Sequence, residues 1–167
     1  MPQRQGLGCA CVLPAAIDEN RRNSLRHPMR QALHSLHIQT TAKGLIEIGR
    51  EISLWLREQN VSSGLLTIFC RHTSASLLIQ ENADPDVQTD LENFFEAIAP
   101  EDSKRYVHRT EGPDDMPAHI RAALSQTQLT IPVASGRMVL GTWQGIYLFE
   151  HRRRPHRREV VLHLLGE

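Results

Sequence analysis

The sequence predicts an α+β domain, a compact sandwich of mostly antiparallel strands covered by two or three helices. Four alternating or apolar segments fill the C-terminal third, and their connections are too short to contain crossover helices. Amphipathic helical patterns lie between the other predicted strands. The 167 residues are 40% hydrophobic and 23% charged, which is typical of one globular domain.

Residues 29–167 are expected to form that single domain. Residues 1–28 show no sustained periodicity and are expected to be a poorly ordered extension, or to precede a true start at Met29. The apolar stretch 7–17 resembles a secretion signal only faintly, because Pro14 interrupts it and no clear cleavage site follows. Three cysteines without C-x-x-C spacing favour a reducing compartment, so we expect a cytoplasmic protein.

The first half of the domain reads as two strands, a helix and a strand. LHIQT and LIEI alternate around Lys43-Gly44 and predict a hairpin. Helical spacing then predicts an amphipathic helix that ends at Gln59-Asn60; its apolar positions are Ile48, Ile52, Trp55 and Leu56. The apolar segment 64–70 predicts a buried strand.

A second helix is expected to begin with Asp84 as its cap and Pro85 in its first turn, and to end at Pro100. Its acidic residues are expected on the solvated face: Asp90, Glu92 and Glu96. Asp115 is the expected cap of a short third helix. The last four strands are predicted in TQLTIPV, RMVLG, GIYLFE and EVVLHLL.

Composition narrows the function classes. No apolar run is long enough to span a bilayer, so membrane association is not expected. Only 5% of residues are aromatic and residues 34–150 are net acidic, which disfavours nucleic-acid binding. The run HRRRPHRR at 151–158 indicates either an anionic partner or a solvated turn. Neither a G-x-S-x-G elbow nor a P-loop is present in the sequence.

Three histidines fall where elements are predicted to begin or end: His72, His108 and His119. Three imidazoles around a divalent ion with an open position are the usual arrangement of catalytic zinc. Spacing alone leaves surface or core histidines as the alternative.

Polar turns lie beside these histidines in the sequence. Glu81-Asn82 and Asp114-Asp115 contain groups that hold magnesium or transfer protons. Thr73 and Ser74 offer hydroxyl and amide donors to a phosphate, with an ordinary Ser/Thr turn as the alternative.

Several of these motifs together resemble the YjbQ family from about Met29 to Glu167. They are His72–Ser76, Glu81–Pro85, Tyr106–His108, Glu111–Ile120 and Leu140–Ile146. The resemblance implies an α+β sandwich that assembles as a homotrimer, with sites near subunit boundaries. It also implies that His72, His108 and His119 bind a divalent metal, zinc in the first place, or magnesium with a pyrophosphate substrate.

The resemblance extends to individual site residues. It implies that Glu81, Asn82, Asp115 and Gln144 orient the site or handle protons. Substrate or phosphate contacts are expected from Thr73, Ser74, Thr142, Trp143 and Arg152. Glu150-His151-Arg152 departs from the Asp-Gly-Pro-Arg type of sequence that many members have, which leaves the role of the arginine run open.

Members of this family are named secondary thiamine-phosphate synthases. The resemblance therefore implies a weak activity that joins a pyrimidine pyrophosphate to a thiazole phosphate and releases pyrophosphate. A three-histidine site suits pyrophosphate poorly, because pyrophosphate prefers magnesium held by oxygen ligands. The alternatives are a metal-dependent hydrolase and a protein that binds a phosphorylated metabolite or nucleotide without turnover.

Overall fold

Two antiparallel sheets with three helices form the part of the chain that the computed structural model describes, residues 28–167. This confirms the predicted α+β class. The predicted extension, residues 1–28, lies outside the described residues apart from Pro28. The strands are β1 Arg30–Gln39, β2 Gly44–Glu47, β3 Ser63–Cys70, β4 Ala75–Glu81, β5 Gln128–Ala134, β6 Arg137–Met138, β7 Gln144–Glu150 and β8 Arg157–Gly166. The helices are α1 Gly49–Glu58, α2 Pro85–Ile98 and α3 Asp115–Leu124.

The five-stranded sheet has the order β1-β8-β3-β5-β6, and the three-stranded sheet has the order β2-β7-β4. Every neighbouring pair is antiparallel. Apolar side chains from both sheets and from α1 form one core, which includes Ile52, Leu66, Ile68, Leu77, Ile131, Ile146, Leu148, Leu162 and Leu164. The four strands predicted in the C-terminal third are therefore confirmed.

The predicted hairpin of β1 and β2 is wrong, because the two strands enter different sheets. β1 pairs with β8 and β2 pairs with β7. Between them the Thr40 amide donates to the His156 carbonyl, and the Thr40 hydroxyl donates to Glu150. Alternation shows which face of a strand is buried but not which strand lies beside it.

Strand β4 was not anticipated by the sequence reasoning, which placed only a Ser/Thr turn before Glu81. Its first three residues, Ala75, Ser76 and Leu77, are all buried, so the strand lacks the alternation of a half-exposed strand. The hydroxyl of Ser76 is satisfied in this buried position, because Ser125 donates to it and His151 Nε2 lies 2.9 Å away.

The bounds of the three helices agree with the prediction, but some of their side-chain contacts differ from it. Asp84 caps α2 by accepting a hydrogen bond from the Asp86 amide, as expected. Asp114, not Asp115, occupies the cap position of α3, and its side chain makes no capping bond. Glu96 is not simply solvated, since Lys43 and Arg121 both donate to it. Among residues 28–167, no helix combines the length and apolar character that crossing a bilayer requires.

Candidate functional site

Two histidines and an aspartate converge at the start of α3. His108 lies in the loop before α3, Asp115 begins the helix, and His119 follows one turn later. One possible ligand atom from each side chain lies within 4.8 Å of the other two. Oδ2 of Asp115 is 2.8 Å from Nε2 of His108 and 3.3 Å from Nε2 of His119. Positions i and i+4 share a helix face, so α3 itself aligns Asp115 with His119.

A main-chain contact determines the tautomer of His119. Its Nδ1 lies 2.9 Å from the Thr73 carbonyl oxygen, which can only accept, so Nδ1 carries a proton. In the neutral ring Nε2 then has a free lone pair, and this lone pair faces Oδ2 of Asp115. Two acceptor atoms at this separation repel each other unless a proton or a cation lies between them. The cluster therefore favours a positive charge at this point.

Arg152 holds the carboxylate of Asp115 in place. Asp115 is 1% exposed, and Nη1 of Arg152 donates to its Oδ1 while Oδ2 faces the imidazoles. Nε of Arg152 donates to Asp114 over 3.1 Å, and Nη2 donates to the Glu111 carbonyl over 2.8 Å. Burial acts to raise the pKa of Asp114, but the Arg153 amide and the Arg152 guanidinium hold it below its usual value.

These contacts give Arg152 a positioning role. All three nitrogens of its guanidinium donate to protein acceptors, and the residue is 9% exposed. A substrate phosphate would have to displace one of these acceptors. Its expected contact with phosphate stays a prediction.

His72, the third expected metal ligand, lies outside this cluster. Its Nε2 accepts a hydrogen bond of 2.7 Å from the Glu159 amide, which leaves the proton of the neutral ring on Nδ1. Burial, followed by the nearby charge of Arg158, lowers the pKa of His72. The third donor that the structure brings to His108 and His119 is Asp115, and ligation by His72 stays a prediction.

Thr73 and Ser74 approach the cluster through their main chain. The Thr73 carbonyl orients His119, and the Ser74 carbonyl accepts a hydrogen bond of 3.3 Å from Arg158. The Thr73 side chain is exposed beside the cluster. Thr73 thus contacts His119 through its main chain, and the expected binding of phosphate by the hydroxyl groups of Thr73 and Ser74 stays a prediction.

The other expected site residues lie at the opposite end of the three-stranded sheet. Glu81 pairs with Gln144 in register, and the Asn82 amide donates to the Trp143 carbonyl over 3.0 Å. Gln144 Oε1 accepts from the Gly141 amide. Six residue steps separate Ala75 from Glu81, or about 20 Å along a strand. Within one chain, the expected site residues therefore form two separate groups. One is the histidine cluster, and the other lies at the Glu81 end of β4 and consists of Glu81, Asn82, Thr142, Trp143 and Gln144.

A buried ion pair beside the cluster was not anticipated. Glu150 is wholly buried and accepts from Arg158 at 2.7 and 2.5 Å and from Thr40 at 2.9 Å. Burial acts to raise the pKa of Glu150, but Arg158, the Arg152 amide and Thr40 together lower it. Arg152 and Arg158 are thus internal parts of the fold, and neither belongs to a solvated turn. The signal in the sequence was an acidic residue at the end of an apolar strand, directly before five arginines.

The space beside the histidine cluster is small. A cavity of about 180 Å³ lies against His108, Tyr106 and Arg109. Pockets that enclose an organic ligand usually measure about 300–1,000 Å³. One chain alone therefore offers His108 and His119 only a shallow approach from solvent.

Comparisons with known proteins agree on one family. The model of the YjbQ-like UPF0047 family matches residues 34–167. A UPF0047 protein of Synechocystis sp. is 56% identical over 138 residues, covering 83% of this chain and 94% of that protein. The UPF0047 protein YjbQ of Escherichia coli O157:H7 is 42% identical over 134 residues, covering 80% of this chain and 96% of that protein.

Solved structures show the same fold. A YbjQ-like protein of unknown function from Sulfolobus solfataricus matches with a TM-score of 0.77 at 22% identity, covering 84% of this chain and all of that chain. A conserved hypothetical protein from Thermus thermophilus matches with a TM-score of 0.69 at 32% identity, covering 77% and 97%. The match of the family model over most of the chain and the identity to its curated members establish that this chain belongs to the YjbQ/UPF0047 family.

Proposed function

We propose that this chain binds a zinc ion through His108, Asp115 and His119 and acts there on a phosphorylated small molecule. The observation that carries the proposal is the convergence of three side chains whose possible ligand atoms all lie within 4.8 Å of one another. A cation bound between His119 Nε2 and Asp115 Oδ2, which are 3.3 Å apart, removes the repulsion between their lone pairs. The same cation is within reach of His108. Two imidazoles and one carboxylate suit zinc, whereas magnesium prefers oxygen ligands alone.

The residues around the donors fit this role. Thr73 fixes the tautomer of His119, and Arg152 fixes the direction of Asp115, in the way that outer partners orient metal ligands. A bound zinc ion polarises a phosphoryl oxygen or lowers the pKa of a bound water. Thr73 is exposed and its carbonyl contacts His119, so we expect its hydroxyl to donate to a substrate oxygen.

These features favour hydrolysis of a phosphate ester over synthesis of thiamine phosphate as the main activity. Synthesis requires positively charged groups that stabilise the departing pyrophosphate. Arg152 and Arg158 are not free for this role, because both are engaged in buried ion pairs. Thiamine-phosphate synthase activity is then a slow side reaction of the same site.

We further propose a homotrimer in which a neighbouring copy completes the site. The histidine cluster and the group around Gln144 lie about 20 Å apart in one chain, too far for one small substrate to touch both. The cavity beside His108 is too small to enclose an organic ligand. Both features support a site that is closed by a second chain.

Metal analysis of protein purified without an affinity tag tests the zinc site. We expect about one zinc per chain in the wild type, as one three-donor site implies, and loss of zinc in His119→Ala and in Asp115→Asn. His72→Ala is the matched control and should retain zinc, because Glu159 already occupies Nε2 of His72. Wild type that takes up no zinc, or Asp115→Asn that retains it while His72→Ala loses it, would contradict the proposed donor set.

Turnover is tested with p-nitrophenyl phosphate and with the pyrimidine and thiazole precursors of thiamine phosphate. We expect zinc-dependent hydrolysis that His119→Ala abolishes, and synthesis far below the median enzyme rate of about 10 per second. Synthesis near that rate would make the synthase reaction the main activity. Thermal stabilisation by a phosphorylated ligand without any turnover would instead identify a binding protein; saturation at 100 times Kd contributes about 2.7 kcal/mol.

A further inference from the structure

A second, larger cavity lies at the opposite end of β3 from the histidine cluster. It measures about 610 Å³ and is formed by the end of α1, the start of β3 and the turn between β5 and β6. A smaller hollow of about 160 Å³ shares Arg57 and Arg137 with it. Strand β3 has eight residues and Thr73 lies beyond its far end, so more than about 20 Å separates the two sites. We name the two connected hollows the α1–β6 groove.

The α1–β6 groove has two unpaired cations. Arg57 on α1 and Arg137 on β6 both line it, both are exposed, and neither forms an ion pair with any of residues 28–167. Arg121, Arg152 and Arg158, in contrast, have carboxylate partners. Two exposed arginines from two different elements therefore line one shared space.

Main-chain carbonyls near the groove already accept hydrogen bonds. The last carbonyls of α1, on Leu56 and Arg57, accept hydrogen bonds from the amides of Gln59 and Asn60. The main-chain oxygen of Glu167 accepts from Ser62 and Ser63. These hydrogen bonds weaken the partial negative charge at the C-terminal end of α1, which would otherwise repel an anion.

The surface between the arginines is partly apolar. Leu56 and Val61 are 1% and 4% exposed and lie at the base of the larger hollow. Met138 and Leu140 line the smaller one and pack against the core. The groove is thus an open hollow lined by apolar side chains and two cations, with a volume of about 610 Å³ that is large enough for a small organic ligand.

We propose that the α1–β6 groove binds a phosphorylated small molecule with a compact apolar or aromatic group. The phosphate lies between Arg57 and Arg137, and the apolar group lies over Met138 and Leu140. Guanidinium groups donate in pairs to phosphate oxygens, and two of them match the charge and the three terminal oxygens of a phosphate monoester better than those of a carboxylate. This site uses no atom of the histidine cluster, so its occupancy is independent of zinc.

Calorimetric titration of phenyl phosphate into metal-free protein tests the proposal. We expect one binding event per chain in the wild type, and at least about a 10-fold loss of affinity in the double variant Arg57→Gln with Arg137→Gln, a factor that corresponds to 1.4 kcal/mol. Arg50→Gln is the matched control, because Arg50 is exposed on the same helix but does not line the groove. It should bind like the wild type. His119→Ala should also bind like the wild type, whether or not the zinc proposal holds.

Other outcomes would overturn the proposal. Absence of binding to wild type at millimolar phenyl phosphate excludes the site, and so does full affinity in the double variant. Loss of binding in His119→Ala alone would assign the phosphate to the histidine cluster. Equal affinity for benzoate would show that the groove binds organic anions in general and is not specific for phosphate. The circular dichroism spectrum and melting temperature of each variant verify that these exposed substitutions leave the fold intact.

Discussion

His151 is a buried histidine whose ring is only half satisfied. Its Nε2 lies 2.9 Å from the Ser76 hydroxyl, while Nδ1 has no hydrogen-bond partner among residues 28–167. The ring packs against Phe149 with a centroid distance of 4.3 Å. Burial, and after it the charge of Arg121, lowers the pKa of His151 to about 3. The ring is therefore neutral in the folded protein throughout the physiological range of pH.

This pKa predicts how stability varies with pH. In the unfolded chain a histidine titrates near 6.5, so below that pH the unfolded state binds a proton that the folded state rejects. The free energy of unfolding should fall as the pH decreases from 6.5 towards 3, by at most about 1.4 kcal/mol per pH unit from this residue. His151→Phe should remove this part of the slope.

Urea unfolding at pH 7.5, 6.5 and 5.5 and at constant protein concentration measures the effect. The difference in unfolding free energy between wild type and His151→Phe should shift in favour of the variant as the pH falls. His156→Gln, in the segment just before β8, controls for the loss of a histidine, because its ring contacts only the nearby Arg154 carbonyl. Parallel slopes for wild type and His151→Phe would show that His151 accepts a proton in the folded state.

The sequence predicts the members of the histidine cluster better than it predicts which of the expected site residues lie together. His108, His119 and Asp115 were all selected because they lie where elements begin or end. The sequence could not separate them from His72, because convergence depends on how the loop before α3 returns to the end of β3. The sequence predicts Asp115 both as a helix cap and as a site residue, but it does not show that Arg152, 37 positions away, binds one oxygen of its carboxylate while the other faces the histidines.

Helix α2 is held by its N-terminal cap and by a few partly exposed contacts, among them the ion pairs of Glu96 with Lys43 and Arg121. None of its 14 residues is buried, and Phe95 packs against Phe149 at a centroid distance of 5.2 Å. The Asp84 carboxylate accepts from the Asp86 amide over 2.9 Å at the N-terminus. With little burial to hold the helix, we expect this capping bond to contribute substantially to its stability.

Asp84→Ala should therefore reduce the unfolding free energy by about 1 kcal/mol, the usual effect of losing a helix cap. Hydrogen exchange of the α2 amides should become faster, with the largest increase in the first turn. Asp90→Ala is the matched control, because Asp90 is exposed in the middle of the same helix and should change stability little. Equal effects of the two substitutions would mean that lost charge, not the cap, determines the outcome.

Elements with their own local signals were the ones that the sequence predicted well. Helix α2 has a cap, a proline in its first turn and an apolar stripe, and its bounds agree with the prediction. Strand β4 has none of these, because both of its faces are buried around Ser76. The pairing of β1 with β8 joins residues more than 100 positions apart, and no local pattern encodes such a contact.

At the scale of the whole molecule, the outer face of the five-stranded sheet combines exposed apolar side chains with polar ones such as Thr67 and His163. Its partly exposed side chains include Leu33, Leu65, Phe69 and Leu165, with exposures between 42% and 72%. Leu65 and Leu165 are direct cross-strand neighbours on β3 and β8. Contiguous exposed apolar surface is typical of contact sites between proteins. This face is our candidate surface for the proposed homotrimer.

Substitution of Leu65 by Lys together with Leu165 by Glu should separate the assembly into single chains. The two new side chains are paired across the strands with opposite charges, so the sheet itself should remain stable. Burial of this charged pair against a second copy is costly, because both charges lose their hydration there. Light scattering should give three times 18.9 kDa for the wild type and 18.9 kDa for the double variant. Leu54→Lys, an exposed position on α1, is the control and should leave the mass unchanged.

The same variant separates metal binding from completion of the site. Zinc content should stay the same in the separated chains, because all three proposed donors, His108, Asp115 and His119, come from one chain. Hydrolysis of p-nitrophenyl phosphate should fall, since the group around Gln144 reaches the histidine cluster only from a neighbouring copy. A monomeric wild type would contradict the trimer, and a separated variant with full activity would contradict completion of the site by a second chain while leaving the zinc site intact.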